Sequence, residues 1–278
     1  MVHGHLPIKA GLLGLSLLLA TACSAPPVSL RPIAARSYVG DPKVLVVSTE
    51  PAFPPFVYLT EAGDLVGFDV DLITEVARRL GLEVYFAYIP FDGLMATLEA
   101  ETADASVDAM TITARRDESI DFSRPYFKSG LAIAVHRDAV GIQTLADLAG
   151  KKIAVKLGTT GAELAASVPN TQLVTFDSAE KALLDLAKGN VDAVIKDKPT
   201  TLGMLTLAKI QHVRLLDQLL TEEYYGIALP PGSPNRPLID ATLEDMLADG
   251  TIAELHRKWF GYDPEPVPLK AIDPIPVP

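Results

Sequence analysis

Short apolar runs alternate with segments of helical period along almost the whole chain. Val44–Val47, Val84–Tyr88, Ala105–Met110 and Leu131–Val135 read as strands, as do Ile153–Val155, Leu173–Phe176, Ala193–Ile195 and Val213–Leu215. Between them, Phe68–Leu80 places Val70, Ile73, Val76, Ala77 and Leu80 on one helical face and stops at Gly81, a natural terminator. Asp92 is placed to cap a helix running through Leu98, and further helices are predicted at Gly161–Ser167, Ala179–Lys188 and Thr200–Ala208. Strands alternating with helices of this length predict an α/β fold with parallel sheets and right-handed crossovers. A faint internal echo accompanies the alternation. Leu98 precedes Asp104-Ala105 by the interval at which Leu186 precedes Asp192-Ala193, each pair leaving a helix and entering a strand. Two similar lobes would explain it, and so would chance.

The ends of the chain break this rhythm. Lys9 precedes an apolar run, Ala10–Ala20, too short for a bilayer that needs about 20 residues. The run leads to Leu19-Ala20-Thr21-Ala22-Cys23, which resembles the bacterial lipoprotein cleavage box. Residues 1–23 then form an export signal with Cys23 as the lipidation site. A plain secretory signal with an incidental cysteine is the alternative. Residues 24–40 are rich in small residues and proline and read as a tether. The tail, 263–278, is again proline-rich; from Pro268 it is unsuited to a helix or a sheet interior. A single cysteine excludes an internal disulfide. The net charge of −11 argues against nucleic acid or an anionic membrane surface as a partner. Histidines at 3, 5, 136, 212 and 256 have no metal-ligand spacing, and no cofactor is expected.

In open sheets, ligands sit beyond the carboxyl ends of strands. After the first strand come Glu50 and Phe53; after Ala105–Met110 come Thr111 and Arg116; Phe91 lies in an intervening loop. After Ile153–Val155, the run Lys156-Leu157-Gly158-Thr159-Thr160-Gly161 leads straight into a helix, whose free N–H groups and dipole favour an anion. Asp197 closes Ala193–Ile195 and Lys196. Each has a structural reading: an N-cap threonine, a turn aspartate, core phenylalanines. Together they suit a zwitterion. Arg116, Thr111 and Thr160 would hold a carboxylate, because a guanidinium presents donors in a planar fork. Asp197 would take the ammonium, and Phe53 and Phe91 the side chain. No serine or cysteine nucleophile motif appears, so the site is expected to bind rather than react.

These residues lie in motifs that resemble the periplasmic, type II solute-binding proteins of ABC transporters for polar amino acids, in particular the glutamine and basic amino acid binders. The resemblance runs from about Lys43 to Tyr262. It rests on TEPAFPPF (49–56), GFDVDL (67–72), FDGL (91–94), MTITARR (110–116), IDFSRPYFKSG (120–130), LGTTGA (157–162), VIKDKP (194–199), YYGIALPPGSP (224–234) and HRKWF (256–260). It implies two α/β lobes, 41–128 plus 226–262 and 129–225, joined by crossover strands near Tyr126–Leu131 and Glu222–Ala228. It also implies a monomeric extracytoplasmic protein, anchored through Cys23, that captures a polar L-amino acid by hinge closure and hands it to a permease and ATPase. By motif position, Arg116, Thr111 and Thr160 hold the α-carboxylate, Asp197 the ammonium, and Phe53 and Phe91 form aromatic walls. Glu50 and Lys156 face the ligand side chain. Ala109 stands where the family often has glycine. A Glu50/Lys156 pair offers an acceptor and a donor, which suits the amide of glutamine; a basic amino acid stays open if Lys156 pairs with Glu50 or points away. The alternatives on this fold are a dehydratase of prephenate-like acids, with Glu50 as the acid, or an amino-acid-sensing domain.

Overall fold

The computed structural model describes residues 43–270, with Met1 and the backbone of 275–276. The expected signal, Cys23 and tether lie outside the described residues. Two five-stranded sheets carry the fold. The first runs, in spatial order, Glu83–Tyr88, Val44–Thr49, Ala105–Ser106, Ala228–Leu229 and Asp121–Phe122. The second runs Gln172–Phe176, Lys152–Lys156, Ala193–Asp197, Leu131–His136 and Val213–Leu219.

The sheets are mixed, where an all-parallel arrangement was expected. In each, the first three strands are parallel and the next pairs antiparallel. The cause is local. Leu131–His136 and Ala228–Leu229 follow directly on the segments that pass between the sheets, with no helix to turn the chain back as a parallel connection requires. Those passing segments, Phe127–Ser129 and Thr221–Tyr225, pair antiparallel, with Glu223 opposite Ser129 and Tyr225 opposite Phe127. Ile275–Pro276 adds to the outer edge of Thr221–Tyr225, a position that tolerates proline.

The internal echo has a physical counterpart. Asp104 accepts the Val46 N–H at 2.8 Å, and Asp192 accepts the Lys152 N–H at 2.8 Å. Each ties its own strand entry to the neighbouring strand of its sheet, beneath the buried Leu98 or Leu186.

Phe68–Leu80 forms the helix its spacing predicts, and Gly81 ends it in the left-handed conformation. Two local expectations fail, and a third, the threonine N-cap, falls one residue before Thr160. Asp92 caps nothing: Phe91–Gly93 is a short 3-10 turn, and the helix Leu94–Glu99 begins after Gly93. The strand expected over Ala105–Met110 stops at Ser106, and Ala109 takes a left-handed φ of 49°. The cap of Thr160–Ser167 is Thr159, whose hydroxyl accepts the Ala162 N–H, so Thr160 is left facing inward.

The two sheets approach closely. Gly203, in the helix Lys198–Leu207, lies against the turn after the first strand: a Cβ there would meet the Pro54 carbonyl oxygen and Pro55 Cδ, each at 2.6 Å. Below the crossing strands, Phe56 packs edge-on against Phe127 and Tyr225, with ring centroids at 4.8 and 5.4 Å, and against Phe260 at 5.2 Å. Phe56→Ala is expected to lower the unfolding free energy by about 3–5 kcal/mol in denaturant titration. Gly203→Val is expected to hold the sheets apart, seen as a larger radius of gyration in small-angle scattering with the far-ultraviolet circular dichroism unchanged.

Candidate functional site

All eight side chains singled out in the sequence are buried where the two sheets meet. Glu50, Phe53, Phe91, Thr111 and Arg116 come from the first sheet and its loops; Lys156, Thr160 and Asp197 come from the second. Lys156 Nζ donates to Glu50 Oε2 across the junction, a buried ion pair. The same ammonium lies 5.4 Å from the Phe53 ring centre and 5.2 Å from that of Phe91. The guanidinium carbon of Arg116 is 5.6 Å from the Phe91 ring centre. Its N–H groups donate to the carbonyls of Thr111 at 2.6 Å and Gly158 at 2.9 Å, so it too spans the junction. At the mouth, Arg115 pairs with Glu163 at 2.8 Å, both exposed.

Thr111 comes in from one side and Thr160 from the other, and both hydroxyls donate to one oxygen, Oε2 of Glu223, at 2.8 and 3.0 Å. Thr221 donates to the other carboxyl oxygen at 3.0 Å. Burial and the nearby Asp197 raise the pKa of Glu223 to about 7, against the lowering effect of these hydroxyls. The two hydroxyls that the resemblance assigns to a ligand carboxylate are thus both directed at the carboxylate of Glu223. Asp197 does not cap the helix it precedes. Its Oδ1 accepts the Tyr225 O–H at 2.6 Å, and Tyr225 in turn meets the Ser129 hydroxyl at 2.7 Å.

The sequence reading missed four groups in this hollow: Glu223, Tyr225, Lys196 and Asp108. Strand alternation would have found the first two, because Thr221, Glu223 and Tyr225 share the buried face of their strand. Lys196 Nζ sits 3.5 Å over the Phe53 ring and 3.9 Å from Asp197 Oδ2; burial lowers its pKa to about 7. Asp108 is wholly buried with neither carboxyl oxygen in a well-formed hydrogen bond. Burial pushes its pKa well above the usual carboxylate range, and the Lys156 charge and the Glu50 backbone N–H offset only part of that.

Behind the site, Asp69 fixes the loop that carries Thr111. Its carboxylate accepts the Ala109 N–H at 2.7 Å and the Tyr126 O–H at 2.8 Å, holding Ala109 in its left-handed turn.

Residues 45–262 match the model of the bacterial extracellular solute-binding proteins, family 3. The L-cystine-binding protein TcyJ of Escherichia coli (strain K12) is 32% identical over 224 residues, covering 79% of this chain and 83% of that protein. An ancestral arginine-binding protein is 38% identical over 79% of this chain. Its arginine-bound structure superposes with a TM-score of 0.76 over 99% of its own chain, and its glutamine-bound structure with 0.73 over 98%. The ancestral amino acid-binding protein AncCDT-1, a precursor of cyclohexadienyl dehydratase, is 33% identical over 78% of this chain and 96% of its own, with a TM-score of 0.73. The chain belongs to the bacterial extracellular solute-binding proteins, family 3. It has the type II periplasmic-binding-protein fold, and it is an amino-acid-binding, extracytoplasmic component of ABC transporters.

Asp69 gives this frame a pH dependence. Burial raises its pKa from 3.8 to about 7. A carboxyl with a folded pKa above its unfolded one binds more protons when folded, so its contribution to stability is lost as pH rises between those values. Asp69→Asn removes that loss. The stability of the variant relative to wild type is expected to grow between pH 3.8 and about 7, by at most about 1.4 kcal/mol per pH unit, in unfolding titrations at a series of pH values.

Proposed function

We propose that the cleft captures a polar L-amino acid, glutamine or a basic one, by closure of two hinged lobes and delivers it to a membrane permease and its ATPase. The lobes are 41–128 with 226–262, and 129–225, with 263–278 a proline-rich tail; the protein acts as a monomer, tethered by residues 24–40 to a lipidated Cys23 that follows the signal 1–23. One observation carries the reading. Thr111 and Thr160 reach in from the two sheets to one anion-holding point, the Arg116 guanidinium lies close enough to feel the carboxylates of Glu223 and Asp197, and the buried Asp197 faces the same hollow. That arrangement matches the two ends of an α-amino acid. Closure strengthens both contacts by excluding water.

At the side-chain end, Phe53 and Phe91 flank the Glu50–Lys156 pair. Paired in this way, Lys156 does not oppose a cationic ligand as it would alone, and the pair offers an acceptor and a donor to an amide. The ancestral relative, bound to arginine in one structure and glutamine in another, supports leaving the two classes together. The dehydratase alternative needs Glu50 free to act on a substrate, and here it is engaged by Lys156.

Calorimetric titration with glutamine, arginine, lysine, histidine, glutamate and cystine tests the reading; a dissociation constant near micromolar corresponds to about 8 kcal/mol. Absence of binding across that set would refute it. Arg116→Ala is expected to weaken the preferred ligand by at least ~2 kcal/mol, the scale for leaving a buried charge without its partner, with the unfolding midpoint measured alongside.

A further inference from the structure

Glu223 has no part in the reading of the ligand site above, yet it holds the two hydroxyls that reading assigns to the ligand. Its strand, Thr221–Tyr225, belongs to neither five-stranded sheet, and its Oε2 gathers Thr111 from one side and Thr160 from the other. We propose that Glu223 and the ligand's carboxylate compete for the Thr111 and Thr160 hydroxyls, and that capture of an amino acid neutralises Glu223, so that binding takes up one proton. The proposal rests on the assignment of Thr111 and Thr160 to the ligand carboxylate.

Each threonine hydroxyl has one proton to donate. With both given to Glu223, an arriving carboxylate meets a second anion at the same donors. Two carboxylates sharing a site do not both stay ionised; one is driven to hold a proton. Glu223 is the candidate, because it is fully buried and Asp197 already opposes its charge. Once protonated, it turns from a competitor into a donor, and its O–H can face the ligand's oxygen.

The charged and titratable groups around it are few. Asp197 lies at the end of Ala193–Asp197, Arg116 in the turn Ala114–Asp117, and Tyr225 on the strand of Glu223 itself. The paired strand presents Ser129, and the helix Thr160–Ser167 presents Thr160. Arg116 favours the ionised form and Asp197 the protonated one, while the Tyr225 O–H is already given to Asp197. Burial and Asp197 raise its pKa to about 7, which puts the change within reach of ordinary buffers.

The sign follows. Well below pH 7 Glu223 is protonated with or without ligand, and no proton moves. Above it, the empty site is ionised and the filled one is not, so affinity falls as pH rises. A single proton sets the limit at tenfold per pH unit, so roughly tenfold weakening is expected between pH 7 and 8.5. Lys196 and Asp69 also titrate near 7, which makes the Glu223→Gln variant the necessary comparison.

The experiment is calorimetry with L-arginine, L-glutamine and L-cystine at pH 6, 7 and 8.5, in pairs of buffers of different ionisation enthalpy, on wild type and Glu223→Gln. For wild type, the expected result is proton uptake approaching one at pH 8.5 and near zero at pH 6. For Glu223→Gln, it is no uptake that wild type does not also show at pH 6, and an affinity at pH 8.5 at least as tight as wild type's. The unfolding midpoint checks that the variant is intact. Equal uptake and equal pH dependence in the two proteins would overturn the proposal alone. So would a tenfold loss of affinity in the variant at every pH, which would make Glu223 an acceptor for the ligand's ammonium beside Asp197. Wild type binding none of these three ligands, nor lysine, histidine or glutamate, would remove the functional reading and the proposal with it, a result distinct from the other two.

Discussion

A charge taken out of water has to be met by an opposite charge or by aimed donors, and this requirement organises the whole junction between the sheets. Glu50 and Lys156 meet it mutually. Arg116 meets it with two carbonyls, Glu223 with three threonines, and Asp197 with a tyrosine. In several of these pairs the partners come from opposite sides of the junction. Sheets that separate expose the groups to water; sheets that close must supply partners for them. The proposed solute site therefore coincides with the contact between the sheets, and a ligand held there would compete with internal partners for the same donors.

Much of this was legible beforehand. The helix Phe68–Leu80 is written in its spacing and its glycine stop, and the eight proposed ligand residues stand at the ends of apolar runs, where an open sheet places its ligands. The repeated Leu-to-Asp-Ala interval marks a shared device, an aspartate accepting the N–H of an adjacent strand in each sheet. What local reading lost were facts decided at a distance. The chain leaves the sheet after Ser106, and the Ala109 N–H goes to Asp69, a residue far back along the chain. Strand direction turned on whether a helix or a crossing segment came before, which hydrophobic periodicity does not encode.

Glu223 is the instructive omission. It lies in the stretch the resemblance marks as a crossover strand, Glu222–Ala228, and the alternation along Thr221–Tyr225 turns it inward while Glu222 faces out. Glu222 faces Lys128 at the half-exposed rim, where Glu265 also pairs with that lysine and raises it to about 12. Adjacent residues of one type thus take opposite duties, one a rim ion pair, the other a buried carboxylate.

The path of the chain has a further consequence. Every strand of the second sheet lies within 131–219, while the first sheet is completed by Ala228–Leu229 after the chain returns. One half of the molecule is thus a single uninterrupted insert, bounded by two neighbouring strands. Genetic exchange at just those two points would transplant Lys156, Thr160 and Asp197 as a cassette while leaving Glu50, Thr111 and Arg116 with the recipient.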